Sequence, residues 1–391
     1  MSNWNPVWSV TIDGDSYSEH TLNSITITNG RLNIDQQSTP ATASLELINF
    51  NNTPYNFDVN APISITLEDS NGVAVPLFTG VISDLAVSVK STGSSKTVTS
   101  ATISALGVIS ILSRNFWASN YSQDTEGDII DLILDSASGI TKGEIDIPGQ
   151  YQIEQRNAGL VPIYEIISLI ANSAQGYVWE SGDGKINYWD ADHRRNYLTT
   201  NGYKYFSAND AIGRQVRTVN RLSDIVNVTY LNYGPNYGQQ KTAFNSGSQL
   251  LYGTYEETIN TVLHNATEAQ DAAVRRVTLR AFPRPYLDQL SFPLGNPNLT
   301  NTERNELIRI FVGMPVAISN LPANIASGQF LGFVERFTFT GSQGNVMVTF
   351  QASQSIFSIP PQDWDDVLTP TLEWEDVNPT LTWIDLAETD L

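Results

Sequence analysis

The sequence predicts a mainly β protein of α+β character: two β-barrel domains flanking a small α/β domain, followed by an extended acidic C-terminal tail. Three observations predict it. Strand-like alternation fills residues 1–112 and returns over 206–358, where one helix is inserted. Between them, at 113–205, lie two segments with helical spacing and clear start and stop signals. From 359 to 391 the composition turns to acids and tryptophans. At 391 residues the chain is longer than one hydrophobic core usually serves.

Composition agrees with strands. Charged residues make up 16% of the chain, against a usual ~25%, and neutral polar residues take their place. A chain poor in charge and rich in Thr and aromatic residues favours pleated over helical structure.

In the first region, PISITLED alternates Ile63, Ile65 and Leu67 with polar neighbours, the period of a strand with one buried face. Asn71-Gly72 follows as a hairpin turn, since both residue types tolerate positive φ. VAVPLFTGVISDLAVSV then predicts a strand pair broken near Gly80, with Leu85, Val87 and Val89 alternating again. Short strands punctuated by turns point to a barrel or sandwich.

In the middle region, TEGDIIDLILDSASG predicts a helix with Thr125 as N-cap, acids in its first turn and Gly139 after its end. VPIYEIISLIANSAQG predicts a second. Pro162 sits where its missing N–H costs nothing, Ile163, Ile166, Ile167 and Ile170 share a face, and Gly176 is placed to terminate it. A hairpin, YVWES then KINYW, follows around Gly182-Asp183-Gly184.

In the third region, IVNVTY predicts a strand with Val226, Val228 and Tyr230 on one face. NATEAQDAAVRRVTLRAF predicts a helix with Asn265 and Glu268 in capping-box spacing, stopped by Pro283 and Pro285. GMPVAISNLP, FLGFVERFTF and NVMVTFQ predict three more strands.

The tail opens at Pro360-Pro361. DWDDVLTPTL and EWEDVNPTLT are near-copies and WIDL starts a third, so Trp364, Trp374 and Trp383 recur at nearly even spacing. The segment is too small and acidic to build its own core. A strand completing the second barrel and a purely solvating appendage are the plain readings. The functional one is that these three tryptophans anchor a neighbouring subunit, because Trp is enriched at interface hot spots and repeated anchors gain avidity.

Searches for catalytic chemistry find little. HExxH, GxSxG, a strand–GxGxxG–helix unit and a complete P-loop do not occur. GSSKT at Gly93 to Thr97 lacks the earlier P-loop glycine and reads as a polar turn. Asp13, Asp15 and Glu19 do not continue as a calcium loop, and a turn at Asp13-Gly14 explains them better. Asp190 to Arg195, DADHRR, could form a metal or acid–base site, but a solvated loop with local ion pairs is the commoner meaning of such a cluster. Glu154, Glu165 and the other acids show no spacing that marks a glycosidase pair. No catalytic, cofactor-binding or metal site is expected.

Cysteine is absent, which removes disulfides and thiolate chemistry. The three histidines, His20, His193 and His264, are far apart in sequence. The net charge of -20 repels nucleic-acid phosphates. Nine of the acidic residues and none of the basic ones fall between Pro361 and Leu391. The start, MSNWNPVWSV, does not look like a secretory signal, and no run is long enough to span a membrane. Synthesis in a cytoplasm is expected, with a route outward other than a signal peptide.

The order of these elements resembles the phage tail-hub family, the baseplate hubs of contractile tails and the tail-tip hubs of siphophages. The resemblance is carried by TASLELINF, PISITL and LFTGVISDL from Thr42 to Leu85, by GYVWESGDGKINYWD from Gly176 to Asp190, by TEAQDAAVRR from Thr267 to Arg276, and by GMPVAISNLP with FVERFTF between Gly313 and Phe339. It implies a virion component of the tail tip or baseplate, made in the host cytoplasm, and a homotrimeric ring that continues the tail tube. One side would meet the tube or distal tail protein, and the other a tip, spike or fibre protein. DNA would pass without specific binding during genome ejection, and no catalytic residues come with the core domains. A receptor- or carbohydrate-binding tail module is the alternative reading, and a hydrolase with a hidden carboxylate pair a third.

Overall fold

The computed structural model describes residues 4–17, 21–51, 53–92, 97–211, 216–325, 328–342 and 344–360. Among the described residues strands hold 44% and helices 23%, so the protein is mainly β. The first region contributes β1 (Trp8–Ile12), β2 (Thr21–Gly30), β3 (Thr39–Asn49), β4 (Pro62–Glu68), β5 (Ala74–Thr92) and β6 (Thr97–Gly107). The middle contributes α1 (Ile109–Arg114), α2 (Glu126–Asp135), β7 (Thr141–Ile145), α3 (Ile163–Ser173), β8 (Tyr177–Glu180), β9 (Lys185–Trp189) and α4 (His193–Asn201). After it come β10 (Lys204–Ser207), β11 (Arg217–Val219), β12 (Val228–Tyr233), β13 (Gln239–Phe244), α5 (Ser246–Tyr252), β14 (Glu256–Asn260) and α6 (Ala266–Arg280). The chain closes with β15 (Tyr286–Pro293), α7 (Asn301–Ile308), β16 (Pro315–Ser319), β17 (Phe330–Ser342) and β18 (Asn345–Gln354).

The first and last β regions are joined edge to edge. β2 pairs antiparallel with β17, Thr26 opposite Thr340, and this ladder fuses the two regions into one 13-stranded sheet. The described strands follow an open path, β11-β15-β18-β17-β2-β3-β6-β5-β4-β1, which ends on the two-residue strand Asp15–Ser16; β16 branches from β17 and carries β10, and the path does not close into a barrel. One apolar core runs beneath this sheet, from Val10 and Ile12 through Leu45 and Ile103 to Phe292, Phe339 and Phe350. A second core lies under α2, α3 and α6, and it includes Leu231, Tyr233 and Ala243 of the small sheet β13-β12-β14. The inserted helix α6 therefore packs with the middle region's helices.

Several local expectations hold. In β4 the residues Ile63, Ile65 and Leu67 are buried in alternation. Helix α3 buries Ile163, Ile166, Ile167 and Ile170, with Pro162 at its N-cap. In α6 the Asn265 side chain accepts from the Glu268 N–H at 2.9 Å. The return bond of a full capping box is missing, because Glu268 accepts instead from the Gln152 N–H at 2.6 Å.

Others differ for identifiable reasons. The strand does not break at Gly80: β5 is continuous and changes partner there, from β4 to β6. A side chain at Gly80 would strike the Leu106 carbonyl. Val87 and Val89 alternate as expected, yet 56% and 60% of their surfaces are exposed, because among the described residues no layer covers that end of the hairpin. After α3 the left-handed residue is Gln175, at φ 57°, while Gly176 is needed for space, its missing Cβ lying 2.6 Å from the Trp189 carbonyl. In β12 the buried side chains are Val228, Thr229, Leu231 and Tyr233, whereas Tyr230 is half-buried, since the Leu231 and Tyr233 face joins the helical core. Around Asn71-Gly72 only Gly72 has positive φ. The Asp69 carboxylate organises that loop, accepting from the N–H groups of Asn71 and Val73.

Two helices beyond α6, α5 and α7, stand in the third region where one was expected. Helix α7 carries a full capping box, the Thr300 hydroxyl accepting from the Glu303 N–H at 3.2 Å and the Glu303 carboxylate accepting from the Thr300 N–H at 2.8 Å. Thr300→Ala should cost about 1 kcal/mol of stability in denaturant unfolding. A change below about 0.3 kcal/mol would mean that packing alone holds α7.

Candidate functional site

The site begins with a bulge. Between Val334 and Arg336 the β17–β18 register shifts, and Glu335 is the extra residue. Opposite it, Gly30 has φ +119°, and a Cβ there would lie 2.3 Å from the Glu335 carbonyl oxygen. Only glycine satisfies both conditions, and the chain can then turn Arg31 toward Glu335.

Three other segments meet at the fully buried Glu335 carboxylate. Arg31 Nε donates to Oε2 at 2.5 Å. From α4, Arg194 Nη1 donates to Oε1 at 2.7 Å and Nη2 to Oε2 at 3.0 Å. The Ser353 hydroxyl donates to Oε1 from β18. Arg194 also donates to the Tyr177 hydroxyl and to Ser358 Oγ, and its guanidinium lies 4.4 Å from the Tyr177 ring centroid. Burial alone would raise the Glu335 pKa, but the Arg194 and Arg31 guanidiniums hold it well below the usual carboxylate range.

A second tier of charges lines a cleft of about 350 Å³ beside this network. Asp35 accepts from Arg276 at 2.5 Å and from Arg280 at 3.3 Å. Arg276 also pairs with Glu257 at 2.8 Å, and Arg275 with Asp192 at 2.8 Å. Burial brings the Arg280 pKa down to about 10, with Asp35 opposing it. Arg280 and Arg275 donate to the carbonyls of Phe357 and Ser358, so the described chain reaches Pro360 at the wall of this cleft.

The β8–β9 hairpin is fastened to the first β region nearby. Gln37 accepts from the Val178 N–H at 2.7 Å, and Asn29 donates to the Glu180 carbonyl at 2.8 Å. The Glu180 side chain is buried and accepts from the N–H groups of Ala41 and, at 2.8 Å, Ile109. Burial raises its pKa to about 7 against the pull of those backbone N–H groups. Glu126, at the start of α2, is likewise raised to about 7 by burial, although it accepts from the N–H groups of Gln150 and Tyr151.

The residues singled out from sequence fall as follows. Trp364, Trp374 and Trp383 lie outside the described residues, as do Glu19 and most of GSSKT. Asp13-Gly14 is a turn, with both residues at positive φ. DADHRR is not a free loop: His193 and Arg194 open α4 and are buried, and Asp190 and Asp192 set the entry to that helix. Glu154 pairs with His264 at 2.8 Å. Arg31 and Glu335 were not anticipated. Their one signal is an acidic residue inside the apolar strand FLGFVERF.

No family model matches the sequence, and no curated protein matches it. Solved structures do. The tail protein from Neisseria meningitidis MC58 superposes with a TM-score of 0.63 at 11% identity, over 91% of this chain and 100% of that one. The chain has the fold of phage tail proteins. The 43 kDa tail protein of prophage MuSo2 from Shewanella oneidensis matches the same tail-protein fold with a TM-score of 0.59, at 11% identity over 90% of this chain and 100% of its own. The prophage tail protein gp18 from Listeria monocytogenes EGD-e gives 0.54 at 10%, over 89% and 94%.

Proposed function

We propose that this chain is a structural hub subunit of a phage tail tip or baseplate. In this reading it joins the tail tube or distal tail protein to tip, spike or fibre proteins and forms part of the DNA passage as a homotrimer. The observation that carries the reading is the likeness to tail proteins, which covers 91% and 90% of this chain and 100% of each of theirs. The fused sheet and the Glu335 weld suit a part that transmits load rather than one that opens around a substrate. A net charge of -20 suits a channel wall that lets DNA slide past. The alternative carbohydrate module would need exposed aromatic platforms. Of the described tryptophans, Trp117, Trp179 and Trp189 are buried, and Trp4 and Trp8 pack on the core.

Electron cryomicroscopy of the assembled particle tests this. Three copies around a central channel at the tube's end are expected. A single copy, or six separate ones at the periphery, would reject the hub assignment.

The C-terminal tail is assigned to a partner. Each arginine of the cleft beside its starting point already pairs with an acid of this chain: Arg31 and Arg194 with Glu335, Arg275 with Asp192, Arg276 and Arg280 with Asp35. The acidic segment therefore gains little by folding back there. A neighbouring tip protein, or another copy, with basic and apolar-floored grooves would match its charges and its tryptophans. Replacing Trp364, Trp374 and Trp383 by Ala should leave the folded melting transition unchanged while cutting tip assembly severely. Normal infectious particles from the triple variant would end this assignment.

A further inference from the structure

Outside the weld, one cluster of ligating side chains among the described residues stands without a role. Glu144 and Asp146 lie two residues apart where β7 ends, and His193 opens α4 beside them. One ligand atom from each of the three lies within 4.8 Å of the others. The placement is built. Asn187 Oδ1 accepts from the Glu144 N–H at 2.8 Å, within the bulged pairing of β7 with β9. Trp189 Nε1 donates to Glu144 Oε2 at 3.1 Å, and the Asp190 N–H donates to Asp146 Oδ2 at 2.8 Å. The His193 ring lies flat on the Trp189 indole, 3.8 Å between centroids, and presents Nδ1 to Asp146 at 2.8 Å.

One further observation points to a cation. Among the described residues no lysine or arginine pairs with Glu144 or Asp146, whereas Asp35, Asp69, Asp192 and Glu335 each have an arginine. His193 is only 8% exposed and turns Nδ1 to this cluster; with an ion on Nδ1 the ring proton lies on the buried Nε2, which has no hydrogen-bond partner among the described residues.

We propose that Glu144, Asp146 and His193 bind a divalent transition-metal ion of the zinc class. An imidazole nitrogen with two carboxylate oxygens suits such borderline ions, whereas calcium and magnesium prefer oxygen ligands throughout. Glu144 is exposed, so water completes the coordination sphere. On binding, the ion takes the Nδ1 lone pair, and the proton held between Nδ1 and Asp146 leaves to solvent. Trp189 and the Asp190 backbone hold the two carboxylates in place, as outer partners do in metal centres. The ion would tie the end of β7 to the first turn of α4, and the next residue of α4 is Arg194 of the buried weld. This departs from the expectation, drawn from the sequence, that no metal site is present.

The test uses the full chain, stripped with a chelator, and zinc chloride alone as the probe. Calorimetry should give one site per chain and a raised melting temperature, with no comparable response to magnesium or calcium chloride. Zinc X-ray absorption should show one imidazole and oxygen ligands. Glu144→Gln, at an exposed side chain, should leave the apo-protein fold intact and weaken binding about tenfold or more. Asp146→Asn should weaken it further. Absence of one-to-one binding, or zinc affinity unchanged in Glu144→Gln and Asp146→Asn together, would overturn the proposal and assign any residual binding to the half-buried His264–Glu154 pair or to surface acids.

Discussion

Glu335→Ala should lower the unfolding free energy by roughly 3–5 kcal/mol, the usual loss when one partner of a buried ion pair is removed. Two guanidiniums, from Arg31 and Arg194, would remain in a dry junction with no anion. The Ser353 hydroxyl would lose its acceptor as well. Glu335→Gln keeps the volume and one carbonyl oxygen but points an amide NH₂ at a guanidinium, so its loss should be nearly as large. Guanidinium chloride unfolding of the two variants measures the effect. A loss under about 1 kcal/mol for both would mean that water or an anion compensates the arginines, and that Glu335 does not hold the junction.

The second large effect is a pH dependence. Glu180 and Glu126 are each raised by burial from 4.5 to about 7 in the folded chain. A carboxyl with a raised folded pKa stabilises the native state below its unfolded pKa, and this contribution is lost as pH rises through the folded value. Each group therefore removes stability between about pH 4.5 and 7, up to roughly 3 kcal/mol per group at 1.36 kcal/mol per pH unit. Glu335 has the opposite sign, because its pKa is lowered, and it acts only in stronger acid. The two windows do not overlap. Glu180→Gln isolates the first. Near pH 5 it should be somewhat less stable than the parent, since its NH₂ faces backbone N–H donors of Ala41 or Ile109. Its stability should then fall less steeply toward pH 8. Parallel curves for parent and variant across that range would show that Glu180 is ionised throughout.

What the sequence reveals follows from the range of the forces involved. Ile163, Ile166, Ile167 and Ile170 could be recognised because one helix face is set by residues three and four apart. Ile63, Ile65 and Leu67 could be recognised from a period of two. Helix α7 could have been found from Thr300 and Glu303, whose spacing is that of a capping box. The faces of β12 could not be assigned from alternation alone, because apolar residues stand on both and the neighbouring helix decides which is dry. The weld was beyond reach. Arg31 and Glu335 are 304 residues apart, Arg194 and Glu335 are 141 apart, and no local pattern encodes such a meeting. The bulge that turns Glu335 inward breaks the alternation that would have signalled it. In the same way, Glu144, Asp146 and His193 gather only after β7 has aligned with β9.

The pairing of β2 with β17 also sets the order in which the protein can be completed. Thr26 must wait for Thr340, so the ladder cannot form until most of the chain has left the ribosome. At about 5–20 residues per second, that is a delay of tens of seconds. During it, the first β region can assemble β3 through β6 while β2 keeps one row of N–H and C=O groups unpaired. An open edge of this kind is a template for another strand, including β2 of a second nascent chain. The joint that makes the finished sheet continuous thus makes its synthesis intermediate adhesive. Expression at high concentration should accordingly favour inclusion bodies for chains truncated before β17, and longer soluble lifetimes once residues 330–342 are present.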